Sequence, residues 1–240
     1  MTRPGQRPAG STRRRTIRAV LMAAVFLGTI AAGGCGSLMS NHAKTHFILQ
    51  DLRHEQRAIP QLKPVLQPAP GPTVLISVNP ASALYESTGI VFSRSPAERA
   101  YYQLASWSER PSRRLGLMVE RRLVKASGDG APLSSVALDT SGIRGDWLLG
   151  VRLIDLYHDT STQPHRAVVT VELELIDWHR RLMIDRASFS ATPPLHAEDA
   201  DAAVNAMSQG VTSVIDQVED WIERKALEAA APRPGRLPPQ

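Results

Sequence analysis

Cysteine occurs once in 240 residues, at Cys35, so an internal disulfide framework and a cysteine-based metal site are both excluded. The chain also lacks a Walker loop, a GxGxxG turn, a GxSxG elbow and an HExxH pair, which removes the commonest signatures of nucleotide, hydrolase and zinc chemistry. Acidic residues are absent before Cys35, whereas six arginines (Arg3, Arg7, Arg13, Arg14, Arg15 and Arg18) lie there. The formal charge of +5 therefore belongs to this leading segment: without it 22 basic residues face 23 acidic ones, a net charge of −1. The basic balance thus lies outside the rest of the chain, and no nucleic-acid partner is expected.

Long hydrophobic runs are scarce too. Ala19 to Ala32 is an uncharged apolar stretch of fourteen residues, short of the roughly 20 that a helix needs to cross about 30 Å of hydrocarbon. An arginine-rich start, this run and the small residues Gly33 and Gly34 make up the three parts of a secretory leader. Ala32-Gly33-Gly34-Cys35 resembles the bacterial lipobox, with Ala32 where the pattern prefers Leu. The expectation is a signal peptide over 1–34, cleavage between Gly34 and Cys35, and a diacylglycerol plus an N-acyl chain on Cys35, with no other cofactor. One acyl chain holds a protein only marginally, so two or three give a stable anchor. Gly36, rather than Asp, follows the cysteine and favours the inner leaflet of the outer membrane, facing the periplasm.

Beyond a tether over 35–44, which reaches at most about 30 Å, alternating and helical periodicities predict the folded part. Strands are expected at 45–49, 73–78, 89–93 and 100–104, the last two as a hairpin. Residues 59–72 hold five prolines, a spacing that favours an extended connector. Ser108-Glu109-Arg110-Pro111 opens a helix whose Leu115, Met118, Val119, Leu123 and Ala126 share a face. Strands follow at 146–157, 167–176 and 182–191, the last two joined tightly through Asp177 to Arg181. An amphipathic helix over 198–224 covers the sheet, and the Ala/Pro/Gly-rich end has too little apolar content to fold. The expected domain is 45–225 with a disordered tail at 226–240, of class α/β: a mixed, largely antiparallel sheet packed against two main helices in a single domain.

Within this plan no residues stand out for catalysis or metal binding. The seven histidines are scattered, and Glu172 with Glu174 reads as the solvated face of a half-buried strand. Tyr101, Tyr102 and Trp107 are the main aromatic concentration and are the candidate partner-binding residues.

The order of elements resembles the ABC-type transport auxiliary lipoproteins, partners of MCE (mammalian cell entry) lipid-transport systems. The residues carrying the resemblance are Leu84-Tyr85, Ile90 to Arg94, Tyr101-Tyr102, Trp107 to Pro111, Asp146 to Leu153 and Trp221-Ile222; His46-Phe47 departs from the family's frequent Tyr. The resemblance implies a non-enzymatic, lipid-tethered periplasmic domain that contacts an MCE-domain protein and, through it, an ABC permease and ATPase. A lipid-anchored regulator or assembly factor of another envelope machine, such as a cell-wall synthase activator or a secretion component, is the alternative reading.

Overall fold

The computed structural model describes residues 43–55, 71–128 and 130–231. The expected signal peptide, Cys35, most of the tether, residues 59–70 of the connector and residues 232–240 of the tail lie outside the described residues.

Among the described residues eight strands form one mixed sheet: β1 (Thr45–Phe47), β2 (Thr73–Val78), β3 (Gly89–Ser93), β4 (Ala100–Trp107), β5 (Ser135–Leu138), β6 (Trp147–Asp159), β7 (Arg166–Asp177) and β8 (Leu182–Ala191). The α-helices among the described residues are a single turn, α1 (Leu52–Glu55), and two long ones, α2 (Pro111–Lys125) and α3 (Ala200–Ala230). This is the expected α/β class, a mixed sheet with two main helices. The two longest ladders, β6 with β7 and β7 with β8, are antiparallel. Four of the seven pairings are nevertheless parallel: β1 with β4, β2 with β5, and β6 with both β2 and β3.

The thirteen residues of β6 organise the sheet. One edge pairs along its whole length with β7. The other edge is shared: Trp147 to Val151 pair with β2, and Tyr157 to Asp159 pair with β3. The sheet therefore forks at β6, with β2 and β5 along its first half and β3, β4 and β1 along its second.

Strict alternation on β7 explains which face is covered. Ala167, Val169, Val171, Leu173 and Leu175 are fully buried under α3, whereas Thr170, Glu172 and Glu174 line the opposite, open face. There the acids are neutralised in the sheet itself, Arg152 reaching Glu172 at 3.6 Å and Arg186 reaching Glu174 at 2.7 Å.

Pro111 supplies the first turn of α2, whose N–H groups have no helical partner in any case. Leu115, Met118, Val119 and Leu123 are buried as periodicity predicts. Asp199 caps α3 by accepting a hydrogen bond from the Ala202 N–H at 2.8 Å. This helix continues to Ala230, past the expected end at 224 and into the segment expected as tail, with Ala226 still in the core. Alanines carry the highest helix propensity, and nothing breaks the run before Ala231.

Close approach of α2 to the sheet depends on Gly116, where an added Cβ would sit 2.2 Å from Val78 Cγ2. A glycine inside a helix costs about 1 kcal/mol relative to alanine, so Gly116→Ala should stabilise on propensity alone. The stiff Val78 cannot move aside, and overpacking costs about 1–3 kcal/mol, so we expect net destabilisation in urea unfolding. Val78→Ala combined with Gly116→Ala should recover part of the loss; additive losses would show that the contact is not the cause.

Candidate functional site

Strand alternation turns Tyr102 away from Tyr101, and the irregular register of β4 on β3 between Gly89 and Val91 separates Tyr101 from Trp107. Tyr101 is 44% exposed, and its ring lies over Gly89, whose missing side chain leaves room for it: a Cβ there would meet Tyr101 Cδ1 at 2.2 Å. Tyr102 points the other way, edge-on to Phe92 with centroids 5.2 Å apart. Trp107, paired with Phe47 of β1, is 2% exposed and belongs to the core. The three do not form one surface, and Tyr101 is the one that faces solvent.

Tyr102 instead begins a chain of polar groups that runs from the buried His158 out to the exposed Gln163 and Glu198. Its hydroxyl lies 2.6 Å from His158 Nδ1; His158 Nε2 lies 3.2 Å from His165 Nδ1; and Gln163 Nε2 stands 3.1 Å from His165 Nε2 and 3.3 Å from Glu198 Oε1. A neutral imidazole has one donor and one acceptor, so each ring passes the polarity of the chain onward. Burial, then the neighbouring His165, lowers His158 to about 4, against the opposing pull of Asp159 and Glu198. Burial, with the charge of Asp199 adding to it, pushes Tyr102 up to about 12. Both groups are therefore neutral at physiological pH. Scattered in sequence, these residues meet because β3 pairs Phe92 with His158 and because the β6–β7 connection folds back over the end of β6.

A second polar centre grips the chain just after β1. Arg122 of α2 is buried and holds Asp51 with two hydrogen bonds, Nη2 to Oδ1 at 2.6 Å and Nε to Oδ2 at 3.1 Å. The same guanidinium reaches Asp216 at 2.5 Å and Glu219 at 3.0 Å on α3, and Arg53 reaches Asp216 at 2.6 Å. Burial opposes the charge of Arg122, but the hydrogen bonds of the three carboxylates outweigh it and hold its pKa above the ordinary value. The backbone is bound as well. Leu52 N–H donates to Thr212 Oγ1 at 2.9 Å, Gln50 N–H to Ser208 Oγ at 3.3 Å, and Arg114 Nε to the Leu49 carbonyl at 3.0 Å. Sequence periodicity grouped the apolar residues of α2 and passed over Arg122; the available signal was a charge one turn beyond Met118, on the core face.

Beside this grip runs an open groove of about 610 Å³ between the β1 segment and the first half of α3, with Phe47, Ile48, His196, Asp199 and Asn205 among its lining residues. Among the described residues no group of three His, Cys, Asp or Glu side chains is placed to hold a metal ion, and no buried side-chain polar atom lacks a partner. No helix among them is long and apolar enough to cross a membrane.

Comparison with known proteins identifies the family. The family model described as the ABC-type transport auxiliary lipoprotein component matches residues 59–219, well over half the chain, and the chain belongs to that family. A crystal structure of a protein from Xanthomonas campestris is similar to it, with 18% identity, a TM-score of 0.58 and coverage of 78% of this chain and 97% of its own. Another solved structure, of an uncharacterized protein, has 14% identity, a TM-score of 0.51 and coverage of 62% and 91%. Such identities show the fold alone. No curated protein matches. The family is one of transport auxiliaries and not of enzymes; it places the chain in the bacterial envelope, in association with an ABC transport system.

Proposed function

We propose that this chain is the lipid-anchored accessory subunit of an MCE-type intermembrane lipid-transport system, holding the MCE component at the outer membrane through acyl chains on Cys35. The observation that carries the reading is the grip on Leu49 to Arg53. The chain arriving from residue 43 passes through only three residues of β1 before Arg122 and both long helices hold it. A three-residue parallel edge strand is a weak attachment by itself. The ion cluster and the backbone bonds transmit any load on the tether into the body of the domain, which suits an anchor.

Tyr101, outward on the open face, remains available to a partner; Tyr102 and Trp107 are committed within the fold. Palmitate labelling should disappear in Cys35→Ser, and labelling that persists rejects the anchor. Crosslinking in intact cells followed by mass spectrometry should capture an MCE-domain protein. Capture of a cell-wall synthase or secretion subunit in its place would transfer the chain to the regulator or assembly-factor reading.

A further inference from the structure

The sheet path from β1 to β8 runs β1, β4, β3, β6, β7, β8, so β1 and β8 are opposite outer strands. Direction separates them further: β1 runs parallel to β4, which is antiparallel to β3, which is parallel to β6. The chain thus enters β1 from the end of the sheet where β6 finishes, whereas the β7–β8 turn lies where β6 starts, with Asp177 opposite Trp147. Twelve residues of β7 span about 40 Å. The turn occupies the corner diagonally opposite the chain's point of entry.

This corner is rigid. Asp177 Oδ1 accepts hydrogen bonds from the N–H groups of His179 and Arg180 at 3.1 and 2.9 Å, and its carbonyl accepts from Arg181 N–H at 2.8 Å. The Asp146 carbonyl accepts from Trp178 N–H at 2.8 Å. Arg181 holds a left-handed φ of 58°, with its guanidinium stacked 3.9 Å over the Trp178 ring. For a non-glycine residue such a φ is uncommon and is maintained only where surrounding bonds fix it.

The rigid turn displays an unusual surface. Leu182, Met183 and Ile184 follow it in succession with exposures of 62%, 51% and 40%. Among the described residues Arg181 makes no ion pair, and Arg180 has only Asp177 at 3.7 Å. Among the described strands β8 pairs with β7 alone, so its outer backbone edge is open beside these side chains. Exposed apolar residues on an unprotected edge are an association hazard unless a partner covers them. Tryptophan and arginine on a preorganised element are the residue types that dominate interface energies.

We infer that the β7–β8 turn and the first residues of β8 form a docking site for an acidic, partly apolar segment of the transport partner, which pairs along the β8 edge and neutralises Arg180 and Arg181. The inference rests on the proposed function and adds to it the place and the chemistry of contact. Complementary charge selects an acidic occupant, and position at the corner farthest from the chain's entry favours a protein partner over the lipid surface that holds the anchor.

The test uses the full lipidated chain in cells, with a photo-crosslinking amino acid placed at Leu182 or Met183 and, for comparison, at Leu104 or Ile143, which are exposed elsewhere. Turn positions should crosslink to an MCE-domain subunit within a stretch containing Asp or Glu. Arg180→Glu with Arg181→Glu should reduce that crosslink at least tenfold. Because Arg181 supports the turn, Leu182→Ser with Met183→Ser serves as a second variant, with the same expected loss and an unchanged melting temperature. Crosslinks from the turn to phospholipid, or to a second copy of this chain, overturn the inference. Capture of the transport subunit from Leu104 or Ile143 but never from the turn overturns it while the proposed function stands. Absence of any transport subunit from all four positions overturns both.

Discussion

Arg122→Ala is expected to lower the unfolding free energy by about 3–5 kcal/mol, the usual cost of removing one partner from a buried ion cluster. The substitution leaves Asp51 buried without its two strongest hydrogen bonds, and leaves Asp216 and Glu219 facing each other without the cation between them. Arg53 retains Asp216 at 2.6 Å, but its side chain is half exposed and does not enter the cluster. Urea unfolding of the domain at neutral pH measures the loss. Lysine at this position keeps the charge without the planar fork that binds Asp51 at two points, so Arg122→Lys should recover less than half of it. A paired replacement separates charge from packing. Arg122→Met with Asp51→Leu exchanges a desolvated ion pair for apolar contact, and such exchanges are often neutral. That double variant should be more stable than Arg122→Met alone. If it is less stable, Asp51 is held by groups other than Arg122, such as the Arg53 N–H that donates to its Oδ1 at 3.2 Å, and Arg122 is not its principal partner.

The grip also shows what was legible in the sequence and what was not. Helix α2, the β3–β4 hairpin and the closing β6–β7–β8 meander follow from local periodicity, because each buries one face and turns at residues suited to turning. Asp177 to Arg181 reads as a tight connection for the same reason, and the structure builds it there. Elements that depend on distant partners did not show. Strand β5 has only four residues, Ser135–Leu138, and exists because β2 offers it a parallel edge. The parallel pairings of β6 with β2 and β3 join segments more than sixty positions apart and leave no local pattern. Tyr101, Tyr102 and Trp107 look like one cluster along the chain, yet alternation and the irregular register between Gly89 and Val91 send them to solvent, to a polar chain and to the core. Arg122 was hidden differently. A charged residue on an apolar helix face is read as an interruption until the three acids that meet it, from residues 51, 216 and 219, are seen in space.

The histidine chain predicts a pH dependence that the carboxylates of the domain do not account for. An imidazole held at about 4 in the folded protein against 6.5 in the unfolded chain means that the unfolded state binds the extra proton first as pH falls. The neutral His158 therefore contributes fully above pH 6.5, its contribution declines as pH falls toward 4, and the loss levels off below that value. The difference amounts to roughly 3 kcal/mol. Structure supplies the reason: protonation would place a buried cation 3.2 Å from His165 and would require both ring nitrogens of His158 to donate, although Tyr102 and His165 can accommodate only certain directions of that chain. Asp159 and Glu198 soften the penalty without removing it. Unfolding free energies of the wild type and of His158→Gln, measured side by side from pH 7.5 to 4, isolate the contribution of His158, since every other titrating group is common to both. The wild type should start more stable and lose roughly 3 kcal/mol more than the variant across that interval, so that the two curves approach or cross near pH 4–5. Parallel curves would mean that His158 accepts its proton without cost, and that the ring of His158 is more open to water than its packing indicates.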